Sequence, residues 1–129
     1  MFMGTWGEGN FDNDGALDYM AEITTRLVKT IEETLKDKVM AGLDEDGEAK
    51  LVPSLDILTT LRENYQHIVL PEAGKIESWK SEYLKIYDEQ IDDVALVQGY
   101  KEQRRATIEA TFDKLINLSR TDEERSKAH

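Results

Sequence analysis

A chain of 129 residues with a formal charge of −11 and no cysteine has room for one domain, whose core would cover about two thirds of the unfolded surface. The lack of cysteine excludes disulfides and thiolate metal sites, suits a reducing compartment and narrows the metal options to oxygen ligands. Residues 1–50 carry 12 acids against 5 bases, residues 51–100 carry 9 against 4, and residues 101–129 carry 6 against 7; two thirds of the chain therefore repel polyanions. Nucleic acid and anionic membrane are disfavoured as partners, and a basic protein is the electrostatic complement, although solubility alone accounts for the same charge. Met1-Phe2-Met3 leads into glycine and acid, not into a basic region and a long apolar run. We therefore expect neither a signal peptide nor a spanning helix, and a soluble cytoplasmic protein.

The N-terminal stretch Gly4-Thr5-Trp6-Gly7-Glu8-Gly9-Asn10-Phe11 is a glycine-rich aromatic arm. Its glycines allow Trp6 and Phe11 to fold back and act as a plug, with Trp6 expected against the core. Asp12, Asn13 and Asp14 stand before the first helical pattern, where a side-chain oxygen caps orphan N–H groups and negative charge suits the helix dipole. Asp12 is the favoured cap, because it gives Phe11 and Ala16 the spacing of a hydrophobic staple; Asn13 and Asp14 are alternatives.

The run Gly4-Thr5-Trp6-Gly7-x-Gly9-x-Phe11-Asp12-Asn13-Asp14-x-Ala16-x-Asp18 resembles the opening of the domain-of-unknown-function 4259 family, a small and mostly bacterial family. Weaker echoes are Leu70-Pro71 followed by Trp79 and the apolar spacing of the last helix, where a tryptophan often found in the family falls on Ile108 here. The resemblance implies a fold and a structural role for Gly4, Trp6, Gly7, Gly9, Phe11, Asp12, Asn13, Asp14 and Asp18. It implies no reaction.

From Asn13 to about Val39, apolar residues at Ala16, Met20, Ile23, Leu27, Ile31, Leu35 and Val39 predict a long amphipathic helix. On its outer face, Glu22 with Arg26 and Glu32 with Lys36 are spaced to attract, and Glu33 with Asp37 to repel. Gly42 and the acidic run Asp44-Glu45-Asp46-Gly47 interrupt the pattern, and Leu51, Val52, Leu55, Leu58 and Leu61 restore it as far as about Tyr65. Asp46 is a candidate cap for this second helix. Pro53 would then fall inside, so the first turn is kinked or the regular helix begins near Pro53. The competing possibility is a hairpin pairing Val39–Leu43 with Glu48–Val52.

Ile68-Val69-Leu70-Pro71 predicts an extended connection with a third helix opening at Pro71. Ile76, Trp79, Tyr83, Ile86 or Tyr87, Ile91, Val94 and Val97 keep helical period to Gly99. That is long for a small domain, so a break near Asp88 is expected, which would make the helices five rather than four. Tyr100 to Leu118, with Arg104, Ile108, Phe112, Leu115 and Leu118 in one stripe, predicts the last helix, and the polar residues 121–129 are expected to fray. The fold class is therefore an all-α, single-domain bundle of four to five helices over residues 1–120, carrying the glycine-rich arm.

Chemistry-bearing patterns are thin. Asn10-x-Asp12-x-Asp14-Gly15-x-Leu17-Asp18 follows the first nine positions of a calcium loop but reaches Ala21 where the bidentate acid belongs. His67 and His129 are the only histidines, and no nucleophile elbow or phosphate loop occurs. Trp79, Tyr83 and Tyr87 share one face and read as core, not as an aromatic cage. The doubled base Arg104-Arg105 pairs with Glu102 and Glu109 or contacts a small anion. Two functions are thus expected to compete. One is a non-enzymatic protein without cofactor, of interaction or immunity type, steered by acids at Glu22, Glu32, Glu33, Asp44, Glu45 and Asp46 towards a basic partner. The other is a small metal-binding or hydrolytic domain using Asp12, Asp14 and Asp18.

Overall fold

The computed structural model describes residues 7–39, 41–42, 45–94 and 99–127, except for the side chains of residues 92–94. Gly4 and Trp6 lie outside the described residues, as do Leu43, Asp44 and Val97. Four α-helices make up the fold: α1 (Asp14–Lys36), α2 (Val52–Asn64), α3 (Ala73–Val94) and α4 (Tyr100–Lys127), with a π turn at Gly47–Leu51 leading directly into α2. No strand occurs among the described residues, so the 39–52 hairpin does not form.

The cap of α1 is Asn13, not Asp12. Asn13 holds an extended backbone and its Oδ1 accepts the Ala16 N–H at 2.7 Å, an interaction worth about 1 kcal/mol. With Asn13 as the cap, Phe11 and Ala16 lose the spacing of a staple, and the Phe11 ring lies edge-to-face on Tyr65, with ring centroids 4.9 Å apart. At the other end α1 stops at Lys36, short of Val39, because the Asp37 backbone turns extended and its Oδ1 accepts the Val39 N–H at 3.0 Å. A carboxylate that competes for a nearby amide opens the helix at that point. Val39 is left 74% exposed instead of completing the stripe.

Asp46 makes no capping hydrogen bond; it pairs with Lys50 at 3.4 Å. Pro53 is accommodated by the π turn, in which the Val52 N–H reaches back to the Gly47 carbonyl. An α-helix running through this point would set the proline ring against the carbonyl four residues back and leave that carbonyl unbonded. The wider turn avoids the clash, and Pro53 then occupies the first turn of α2, where its missing N–H costs nothing.

Ile68 to Glu72 is the expected non-helical connection, and α3 opens at Ala73, two residues past Pro71. The Ala73 N–H donates to Glu123 Oε1 at 2.8 Å, so α4 supplies the cap of α3. No break occurs at Asp88: α3 runs unbroken to Val94. Asp88 projects outward and takes both Arg105 Nε and Nη2, at 2.9 and 3.1 Å.

The last helix continues past Leu118 to Lys127. No apolar side chain anchors its final turns. Polar ones do: Ser119 Oγ donates to the Pro71 carbonyl at 2.6 Å, Asp122 pairs with Arg62 on α2, and Glu123 caps α3.

The core gathers Ile31 from α1, Leu51 from the π turn, Leu55 and Leu58 from α2, Ile76, Trp79, Tyr83, Tyr87 and Ile91 from α3, and Ile108, Phe112 and Leu115 from α4. The aromatic face of α3 is thus core packing, as expected. The pairs Lys80–Asp113, Arg105–Asp88 and Arg120–Glu77 set α3 antiparallel to α4. Glu48–Arg104 and Arg62–Asp122 set α2 parallel to α4.

Candidate functional site

Three places on this frame hold polar groups in defined geometry. The first is the arm turn. Gly9 N–H donates to Asp12 Oδ2 at 2.8 Å and the Asp12 N–H returns to the Gly9 carbonyl at 3.1 Å. A Cβ on Gly7 or Gly9 would fall 2.5 or 2.7 Å from the Asp12 carboxylate. A side chain at either glycine would therefore force the Asp12 carboxylate to shift from the position in which it accepts the Gly9 N–H. Asp12 acts as the hub of its own loop.

Asp14 and Asp18, one turn apart on α1, are exposed, as is Glu22 one turn further on. Among the described residues, no three acidic, histidine or cysteine side chains converge as a metal site would require. The set Asp12, Asp14 and Asp18 is thus not brought together. Within the described residues, neither Asp14, Asp18 nor Glu22 forms an ion pair; Arg26, spaced to meet Glu22, does not do so.

The second place is a polar node where the π turn meets α3 and α4. Glu48 Oε1 accepts Arg104 Nε at 2.8 Å and Nη2 at 2.6 Å. Nearby, the Tyr87 hydroxyl donates to the Lys101 carbonyl at 2.9 Å, while the buried Tyr83 hydroxyl has no hydrogen-bond partner. Burial, reinforced by the Glu48 charge, pushes the Tyr83 phenol above its ordinary range, and it stays protonated. Burial likewise raises Tyr87, with Tyr100 adding to it. An unmade buried hydrogen bond is a cost to folding. Tyr83→Phe is therefore expected to leave stability unchanged or raise it by up to about 1 kcal/mol, measured by chemical denaturation; a loss larger than that would show the hydroxyl to be bonded in solution.

The third is an open groove of about 730 Å³ between α1 and the α2–α3 connection, floored by Val28, Leu70 and Pro71. Its rim carries Lys29, Glu32, Glu33 and Lys75, already matched as Lys29–Glu33 at 3.8 Å and Lys75–Glu32 at 3.0 Å. Glu32 thus reaches across to α3 instead of along α1 to Lys36. His67 is exposed at the end of α2 and joins no cluster.

Of the acids expected to pair with the Arg104-Arg105 doublet, Glu109 takes Arg105, with Asp88 as an additional partner. The hydrogen bond from Arg105 holds the Asp88 carboxyl below its usual range. Arg104 takes Glu48 rather than Glu102. Glu48 and Tyr83 were not foreseen as a node, although Glu48 lies between the Gly47 and Pro53 that force the turn.

Fold and surface define an all-α acidic domain organised on an α3–α4 hairpin, with a glycine turn closing the start of α1. The model of the domain of unknown function DUF4259 matches residues 4–125, and the chain belongs to that family. No curated protein and no solved structure matches the chain.

Proposed function

We propose that this chain is a non-enzymatic binding protein, of inhibitory or immunity type, that docks a basic protein on the outer face of α1. The observation that carries this reading is the ladder Asp14–Asp18–Glu22. Like charges spaced four apart on a helix cost a few tenths of a kcal/mol each, and here they stand exposed, with no ion pair to a cation among the described residues. Beside them, Tyr19 is 64% exposed and offers an aromatic face to lysine or arginine. Further along the chain Glu32, Glu33 and Asp46 each pair with a lysine, and Asp88 and Glu48 each with an arginine. The docking face is accordingly the first half of α1, and the Glu32–Glu33 region is of secondary importance.

The test begins with capture of a partner on the immobilised chain and its identification. Asp18→Lys combined with Glu22→Lys should slow association with that partner about ten-fold or more at low salt, with the difference shrinking as salt is added. Stability should stay within about 0.5 kcal/mol, since both positions are exposed. An unchanged association rate at low salt would reduce the ladder to a solubility device. The metal-binding or hydrolytic alternative has no comparable support, because Asp12 is committed to its own loop.

A further inference from the structure

The acidic ladder and the groove beside α1 lie on one face of that helix. Asp14, Asp18, Glu22, Thr25, Lys29 and Glu32 follow one another at steps of three and four residues, so a single side of α1 runs from the ladder onto the groove rim. The junction is made by Thr25, a short side chain, while Thr24 is buried with its Oγ1 donating to the Ala21 carbonyl at 3.1 Å. The two halves of the face differ in kind. Asp14, Asp18 and Glu22 form no ion pair among the described residues. The groove sets Lys29, Lys36 and Lys75 against Glu32, Glu33 and Glu72, a formal balance of zero. At its lip Val69 is 85% exposed, beside Leu70 and Pro71. A cation therefore gains most at the ladder, and an uncharged apolar side chain gains most in the groove.

Resting on the reading of α1 as the docking face for a basic protein, we propose that the partner's contacting segment has two parts: arginines or lysines against Asp14, Asp18 and Glu22, and beyond them an apolar side chain seated on Val28, Val69 and Leu70. Along the helix the ladder spans roughly 12 Å, and Glu22 lies roughly 9 Å from Val28. Three cations at alternate positions and a spacer of about three residues cover those distances in extended chain. The charges act at a distance and the apolar seat only on contact, so the ladder sets mainly the association rate and the groove mainly the dissociation rate. A second copy of the chain is a poorer occupant. It brings its own ladder and a charge of −11, and Val28, Val69, Leu70 and Pro71 fall well short of the roughly 800 Å² per partner of a stable interface. A small apolar molecule is poorer too, because the groove is open and ligand sites enclose most of what they hold.

The test uses the full chain and two labelled synthetic peptides at low salt. One peptide carries three arginines at alternate positions, a spacer of glycine and serine, then leucine and phenylalanine; the other has serine in place of the last two. The apolar peptide should bind about ten-fold tighter than its serine counterpart, through slower dissociation. Val28→Thr combined with Val69→Ser should cut that ratio to about two-fold or less and leave the affinity for the serine peptide unchanged. Val69→Ser alone, at an exposed position that the fold does not need, should lower the ratio in the same direction. Asp18→Lys with Glu22→Lys should weaken both peptides about ten-fold or more by slowing association. Equal affinity for the two peptides, with both lost on reversing the ladder, would overturn the two-part segment and leave the acidic docking face standing. A preference for the apolar peptide that survives both groove variants would overturn the seat on Val28 and Val69. Binding indifferent to the ladder reversal, or no binding of either peptide, would overturn the docking face itself and the two-part segment with it.

Discussion

Gly47→Ala is expected to destabilise the fold by about 3 kcal/mol, a fall of roughly 10 °C in Tm. Gly47 is buried at the start of the π turn, and a Cβ there would stand 2.0 Å from the Ala41 carbonyl oxygen and 2.6 Å from its carbon. Those are backbone atoms, so no rotamer change relieves the clash. Ala41 is itself fully buried and tied by its N–H to the Asp37 carbonyl at 2.8 Å. Either the 37–42 segment moves, or the π turn gives up the bond from the Val52 N–H to the Gly47 carbonyl that makes room for Pro53. Thermal unfolding of the variant measures the cost, and a Tm within a degree or two of the unaltered protein would show that the two segments do not approach so closely in solution.

Phe112→Ala should cost about 3–5 kcal/mol, the sum of lost burial and an unfilled cavity. The ring is fully buried, 6.1 Å from the Tyr83 ring centroid, in the cluster where α2, α3 and α4 meet. Few neighbours can close the gap, because Tyr83, Ile108 and Leu115 are all fixed by burial of their own. Phe112→Leu, which keeps most of the volume, should cost about 1.5 kcal/mol or less. Denaturant unfolding of the pair should preserve that ranking; equal losses would mean that the site does not depend on filled volume.

Helix identity and core membership were legible because both follow from period alone. Ile76, Trp79, Tyr83, Tyr87 and Ile91 return to one face at every turn, and that face is the core. The helix ends were harder, because they are decided by single polar groups. Asn13 rather than Asp12 caps α1 because Asp12 is already occupied by the Gly9 amide three residues back. The expected break at Asp88 failed, and α4 runs on as helix to Lys127, for a common reason: the groups that hold these segments, the side chains of Arg105 and Arg62 and the carbonyl of Pro71, lie far along the chain. Periodicity registers neighbours three or four residues away and is blind to such partners. The acidic surface was legible as a total but not as a pattern, since only the folded chain shows which carboxylates meet a lysine and which are left facing solvent.

The ties between α3 and α4 are also graded by the length of chain they close. Tyr87 meets Lys101 across 14 residues, Asp88 meets Arg105 across 17, Lys80 meets Asp113 across 33, and Glu77 meets Arg120 across 43. Closing a loop costs entropy that grows with its length, but each tie, once made, brings the next pair close, so the added loop at every step is short. The hairpin can therefore zip from its connecting end outward without a single long-range search. The Glu123 cap on α3 and the Asp122 clasp on α2 then become the last stitches, and neither can be placed before the far end of α4 has been made.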